Sequence, residues 1–179
     1  MIEILKQIER VDILGILSNL DNFKSVDVDY HPPRVERIWT QIREHRLSFH
    51  YLHPCAEGEA LYHPHPWKSA IHQLDGEYET GITYSENLDF HLDNNTGKHN
   101  QSLKQIEGIK IIVKGGMYCE MLNKNAFHYV RPITLCRSVM LMGEQFETIK
   151  NPATKNLEPL TGQRMNEIRL WFYDYYANL

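Results

Sequence analysis

Near the start of the chain, apolar residues recur at helical spacing. Ile4, Ile8, Val11, Ile13, Leu14, Leu17 and Leu20 alternate with Lys6, Glu9, Arg10 and Asp12. That period predicts an amphipathic helix over residues 2–20, ended by Ser18-Asn19-Leu20-Asp21-Asn22. A second helix is predicted from residue 33 to about 44, where Val35, Ile38, Trp39 and Ile42 form one stripe behind a proline start. From residue 46 the pattern changes to short segments broken by Pro, Gly and acidic turns. Strands are predicted at residues 47–53, 60–65, 69–74, 77–84, 108–113, 117–122, 126–131 and 134–142. Asp75-Gly76 reads as a tight hairpin turn, because Gly accepts the positive φ that such turns demand. Gly115-Gly116 reads as another, since it lacks the flanking pattern of a phosphate-binding loop. Residues 85–105 are polar, with Asn94-Asn95-Thr96-Gly97 at the centre, and are expected to form a surface loop or mobile flap. Residues 163–179 predict a last helix, in which Met165, Ile168 and Phe172 are surrounded by Trp171, Tyr173, Tyr175 and Tyr176.

Two helices, a run of short strands and a closing helix make the chain mainly β, a sandwich or small barrel. Its 179 residues suit one domain. The expected division is a helical segment at 1–45, a barrel at 46–147 and a tail with its helix at 148–179. The formal charge of −4 provides no broad basic field, so no nucleic-acid partner is expected. No apolar run nears the roughly 20 residues of a membrane span, so no membrane partner is expected either. The first residues, Met1-Ile2-Glu3-Ile4-Leu5-Lys6, turn acidic at once and do not read as a secretory signal. Three cysteines without C-x-x-C spacing suit a reducing compartment, and a cytoplasmic location is expected. Ten histidines are the compositional feature that asks for chemistry.

The informative stretch is Tyr62-His63-Pro64-His65-Pro66-Trp67. Residues two apart on a strand face the same side, so two imidazoles can lean onto one metal ion. The prolines remove backbone donors and confine the segment to a strand edge, a bulge or a strand start. The competing reading is two surface histidines in a proline-rich turn. After His65 come three residues, then Ser69, and then the Gly76 turn. Further on, His128 stands in Asn125-Ala126-Phe127-His128-Tyr129-Val130, ahead of an apolar strand and Gly143.

This arrangement resembles the cupin superfamily over roughly residues 47–147. Its first motif pairs H-x-H with a glutamate and a glycine turn, and its second contributes another histidine. The resemblance implies a double-stranded β-helix, or jelly-roll barrel, with N-terminal helices and a C-terminal helix. It implies His63, His65 and His128 as metal ligands. Ser69 stands where the family's glutamate would be, and a serine hydroxyl is a poor ligand. The set is therefore similar to that of the three-histidine thiol dioxygenase-like branch, which holds ferrous iron without a carboxylate. The expected cofactor is one divalent transition metal, iron first, with zinc, nickel or manganese as the others. The expected partner is a small anionic thiol or carboxylate substrate. The expected activity is that of a mononuclear non-haem iron oxygenase. The alternatives are a cupin that binds a small molecule or metal for sensing or storage, and a zinc, nickel or manganese isomerase or hydrolase.

Other residues are weighed against structural roles. His53, or else His50, is a candidate for the pocket wall, and Arg131 and Arg137 for binding a substrate carboxylate. Ser69 is taken as a further substrate contact. His72 falls on the opposite strand face from His65 and is expected packed or exposed unless a bulge reverses it. Glu79 is the one nearby carboxylate able to substitute for the missing ligand, against a solvated strand face. Cys119 and Cys136 are expected in the core, and Cys55 in a turn without a base beside it. Tyr129 should point away from His128, with Tyr118 and Tyr78 toward the cavity. The aromatic last helix either caps the barrel or packs against a second subunit, making a homodimer.

Overall fold

The computed structural model describes residues 1–29, 31–84, 91–92, 99–100, 108–146 and 157–179. Helices α1 (Ile2–Val11) and α2 (Ile13–Ser18) are followed by a 3-10 turn at Leu20–Asn22. Then come β1 (Lys24–Val28), β2 (Val35–Ile42), β3 (His45–Leu52), β4 (His63–Pro64), β5 (Trp67–Asp75) and β6 (Glu77–Tyr84). The short β7 (His91–Leu92) and β8 (His99–Asn100) pair with each other. The rest of the expected 85–105 flap lies outside the described residues. Strands β9 (Ile109–Lys114), β10 (Tyr118–Met121), β11 (Ala126–Pro132) and β12 (Cys136–Gln145) precede helix α3 (Gly162–Ala177). Among the described residues, no helix is long and apolar enough to cross a membrane.

Two antiparallel sheets carry the fold. The larger has the order β1-β2-β3-β12-β5-β10 and the smaller β4-β11-β6-β9. Leaving out β1, β2 and the β7–β8 pair, the eight remaining strands interleave between the sheets. Their spatial orders, β3-β12-β5-β10 against β4-β11-β6-β9, are those of a jelly roll.

The apolar core is not inside the barrel. Leu47, Phe49 and Tyr51 of β3, Ala70 and Leu74 of β5, and Val139 and Leu141 of β12 point out of it. There they meet Leu5 and Ile8 of α1, Ile13 and Leu17 of α2, and Ile168, Phe172 and Tyr176 of α3. Phe172 sits edge-on to Phe49 with centroids 4.9 Å apart. Helix α3 therefore covers the outer face of the large sheet. Smaller clusters form around Tyr62, Phe127 and Tyr129, and around Tyr78, Val113 and Cys136.

The structure overturns the second helix: residues 35–42 are strand β2, and β1 precedes it, so the 1–45 segment is not wholly helical. The i, i+3, i+4, i+7 stripe of Val35, Ile38, Trp39 and Ile42 is real but does not set burial. Glu36, Ile38 and Thr40 are buried at a period of two, between the half-buried Val35, Arg37 and Trp39. β-branched and aromatic side chains suit a strand, and full-length pairing with β1 and β3 decides the matter. The first helix breaks at Asp12 into α1 and α2.

The two expected hairpins are also corrected. Strands β5 and β6 lie in different sheets, as do β9 and β10, so each turn is a corner between layers. Gly76 has a φ of 81°, and a Cβ there would collide with the Leu135 carbonyl. The two corners sit side by side, with Gly115 N donating to Gly76 O at 3.1 Å.

Candidate metal centre

The barrel's inner surface follows from strand alternation. On β11, Phe127, Tyr129 and Arg131 face out, which turns His128 inward, where it is buried. His63 on β4 is its direct cross-strand partner. His65 follows two residues later, and its ring stacks near His63 with centroids 5.4 Å apart and planes 21° apart. One ligand nitrogen from each of the three histidines can be chosen so that all lie within 4.8 Å of one another. Among the described residues, no carboxylate or thiol joins this group.

Hydrogen bonds fix which nitrogens face inward. His63 Nδ1 lies 3.1 Å from the Leu61 carbonyl, which only accepts, so Nδ1 carries the proton and Nε2 keeps its lone pair. Thr80 Oγ1 donates to the Tyr129 carbonyl at 2.8 Å, which leaves its oxygen to accept from His128 Nδ1 at 3.4 Å. His128 Nε2 thus has a lone pair, and His65 Nε2 lies 2.7 Å from it. One proton occupies that contact, with Ser69 Oγ donating to His65 Nδ1 at 3.3 Å. If that proton moves to Nδ1, the Ser69 hydroxyl accepts it instead. Serine serves either tautomer because its hydroxyl both donates and accepts.

Burial, with His63 and Arg37 nearby, pushes His65 down to about 3. Burial, with His65 and His63 nearby, holds His128 well below the usual imidazole range. Both are neutral at pH 7, the form that binds metals. Bonds of roughly 2.0–2.1 Å place two ligand nitrogens about 3–4 Å apart on one ion. The 2.7 Å contact would open slightly, and a separation at the 4.8 Å limit would close by about 1 Å. The three imidazoles therefore fit a transition-metal ion.

The other expected site residues scatter. Ser69 is buried and touches His65. His53 lies outside the cluster, with Nε2 2.8 Å from Glu36. Arg131 faces out and pairs with Glu79, which also accepts from the Tyr129 hydroxyl at 2.6 Å. That contact removes Glu79 as a substitute ligand. Arg137 faces the helices, pairing with Asp75 and stacking over Trp171 at 4.4 Å and Tyr51 at 4.9 Å. His72 turns outward too, 2.6 Å from Glu9 and stacked on Tyr118, which removes Tyr118 from the cavity. Tyr78 lies with Val113 and Cys136 at one end of the interior.

His50 is the histidine that lines the barrel, beside Ser138. Burial first, then Arg37, His65 and Arg46, holds it well below its ordinary pKa. The sequence signal for it was parity. His50 is three residues from Leu47 on a strand whose odd positions, Leu47, Phe49 and Tyr51, carry the large apolar groups. Arg37 was hidden by the helical reading of its segment.

No protein-family model matches the chain, and no curated protein matches it. Solved structures do. The hydroxypropylphosphonic acid epoxidase from S. wedmorenis is 9% identical at a TM-score of 0.49, covering 69% of this chain and 56% of that one. The chain thus spans a little over half of the epoxidase's length. An RmlC-like cupin from Shewanella frigidimarina is 11% identical at a TM-score of 0.45, covering 71% and 88%. Drosophila melanogaster CENP-C is 7% identical at 0.46, covering 79% and 98%. By its own strand order the chain has a cupin-like fold, with three imidazoles gathered inside the barrel.

Proposed function

We propose that the protein is a mononuclear metal-dependent oxygenase. In this reading His63, His65 and His128 hold one divalent transition metal, iron first, and the substrate is a small thiol or carboxylate anion. The observation that supports it is the convergence of three imidazoles, two of them held neutral by burial, with no carboxylate among the described residues beside them. When bound, such a metal supplies a Lewis-acidic centre with open positions for substrate and oxygen. The chain's own residues orient that centre. Leu61 O fixes His63, Thr80 fixes His128, and Ser69 holds His65 whichever nitrogen carries the proton. Neutral ligands leave the ion's full charge facing the cavity, which favours an anionic substrate.

Metal analysis of protein purified without a histidine tag tests this reading. About one metal per chain is expected, and His65→Ala should lose most of it while keeping the wild-type circular dichroism. Equal metal content in both proteins would overturn the ligand assignment. Anaerobic loading with ferrous iron, followed by oxygen-electrode traces with a panel of small thiols and carboxylates, tests the reaction. Oxygen uptake that depends on one of those anions is the expected result. Flat traces with bound iron would favour sensing or storage, and native zinc, nickel or manganese an isomerase or hydrolase.

A further inference from the structure

Strand β9 ends the smaller sheet on one side, with β6 as its one ladder partner among the described residues. Backbone contacts tell which of its residues face that partner. Gly115 N donates to Gly76 O, whereas the Glu77 N–H and C=O turn the other way, to Thr134 Oγ1 and Ile133 N. Hydrogen-bonded pairs alternate along an antiparallel ladder, so Ile109, Ile111 and Val113 bond to β6. Lys110, Ile112 and Lys114 direct their backbone groups away from it. The corner takes those of Lys114, whose N–H meets Met117 Sδ at 3.3 Å and whose C=O accepts from Met117 N at 3.1 Å. The N–H and C=O of Lys110 and Ile112 remain on the open edge.

Open edges are normally blunted by short length, proline, bulges or charge. Strand β9 is six residues long, without proline or a register shift. It exposes Ile109 by 70%, Ile111 by 39% and Ile112 by 42%. Ile109 and Ile111 share the inner face with Tyr78 and His128, and Ile112 shares the outer face with Glu79. Helix α3, by contrast, packs its aromatic residues on its own large sheet. Lys110 and Lys114 are the charges on the edge, and they choose among pairings rather than forbid them all.

We propose that β9 is a homodimer interface, pairing antiparallel with β9 of a second copy about a twofold axis through Ile111. The two smaller sheets then run on as one continuous sheet. A twofold axis perpendicular to the sheet pairs inner-face residues with inner-face residues, so it must pass through a residue position. Centring on Lys110 or on Ile112 sets two lysines against each other, and like charges directly opposite are destabilising. Centring on Ile111 pairs Lys110 with Ile112 of the second copy, and the reverse. Each such pair exchanges both N–H···O bonds, which satisfies every free group on the edge. Ile111 then meets its own counterpart, and Ile109 meets Val113. On the outer face the row reads Arg131, Glu79, Ile112 and then Lys110 of the second copy, so the incoming ammonium meets a carboxylate before a cation.

The ribbon is small beside the roughly 800 Å² per partner of a standard interface, so a dissociation constant of about 10–100 µM is expected. Sedimentation velocity of the full chain from about 5 to 500 µM should show monomer giving way to dimer. Ile112→Pro should abolish the dimer with unchanged circular dichroism, because it removes an N–H that faces the edge and not β6. Ile111→Cys stands in a non-hydrogen-bonded pair with Cα atoms about 4.5 Å apart and should cross-link through a disulfide on mild oxidation. Lys110→Cys, offset from its counterpart by two residues, should cross-link far less, and the wild type controls for Cys55, Cys119 and Cys136. If Ile112→Pro does not fold, the two cysteine variants decide. A monomer at every concentration, a dimer that folded Ile112→Pro leaves intact, or equal cross-linking of the two cysteine variants overturns the interface.

Discussion

Ser69 shows how much one side chain decides. It stands where the motif resemblance would put a carboxylate, is buried, and touches His65 through a hydroxyl able to serve either tautomer. Partners of this kind typically change metal affinity by 10–100-fold when removed. Ser69→Ala should therefore weaken metal binding about tenfold while saturating at the same stoichiometry. Competition against a chelator of known affinity measures it, and unchanged affinity would mean that Ser69 only fills space. The pairing of His63 with His65 was legible because H-x-H on an extended segment forces two rings to one side, whereas His128 came only from the motif resemblance. The choice of His53 over His50 failed because both flank the Tyr51–Leu52 pair, and only the register of β3 against β12 says which faces inward.

At the scale of elements, Glu36 explains why β2 was unreadable. It is 2% exposed, and a buried carboxylate inside a short stripe argues against a strand until its partners are known. Those partners come from far along the chain. Arg164 of α3 binds it with two nitrogens, at 2.7 and 2.6 Å, and His53 adds a third contact. The Arg164 hydrogen bonds, followed by His53, hold the Glu36 carboxyl down to about 2 against the opposing pull of burial. Breaking a buried pair costs about 3–5 kcal/mol, so Glu36→Gln should destabilise the protein by at least about 3 kcal/mol in urea unfolding. The pH dependence has a definite sign. Because the folded carboxyl is the stronger acid, its contribution is complete above pH 4.5 and is lost as pH falls toward about 2. His50 acts in a separate, higher window. Unfolded, it takes a proton near pH 6.5, whereas folded it resists. Stability should thus decline as pH falls through 6.5, and His50→Asn should remove up to about 1.4 kcal/mol per pH unit of that slope, about half of it at pH 6.5. Unfolding curves between pH 7 and 5.5 decide the point, and an unchanged slope counts against a neutral His50.

For the whole molecule, the jelly-roll order was legible only through the motif resemblance, since strand periodicity cannot say which sheet a strand joins. The location of the core was not legible at all. The same apolar positions of β3, β5 and β12 would suit a core on either side of the sheet. The helices decide, by placing Phe172, Ile168, Leu5 and Leu17 against the outer face. Phe172→Ala should cost about 3–5 kcal/mol. The folded fraction should still bind the wild-type amount of metal, because Phe172 touches the outer face alone. Calorimetry paired with metal analysis tests both halves, and a loss of metal beyond the loss of folded protein would tie the two faces together.

The position of that core has a consequence for how such a chain can change over generations. The apolar core is lodged on one side of the large sheet and the histidine cluster lies on the other, with a single layer of backbone between. Mutations at Ser48, Gln73 or Ser138 change the inner lining while the Phe49–Phe172 packing lies on the other face. Selection can therefore sample new linings at little risk to folding. A protein whose hydrophobic interior doubled as its binding site would have to repack for every such trial.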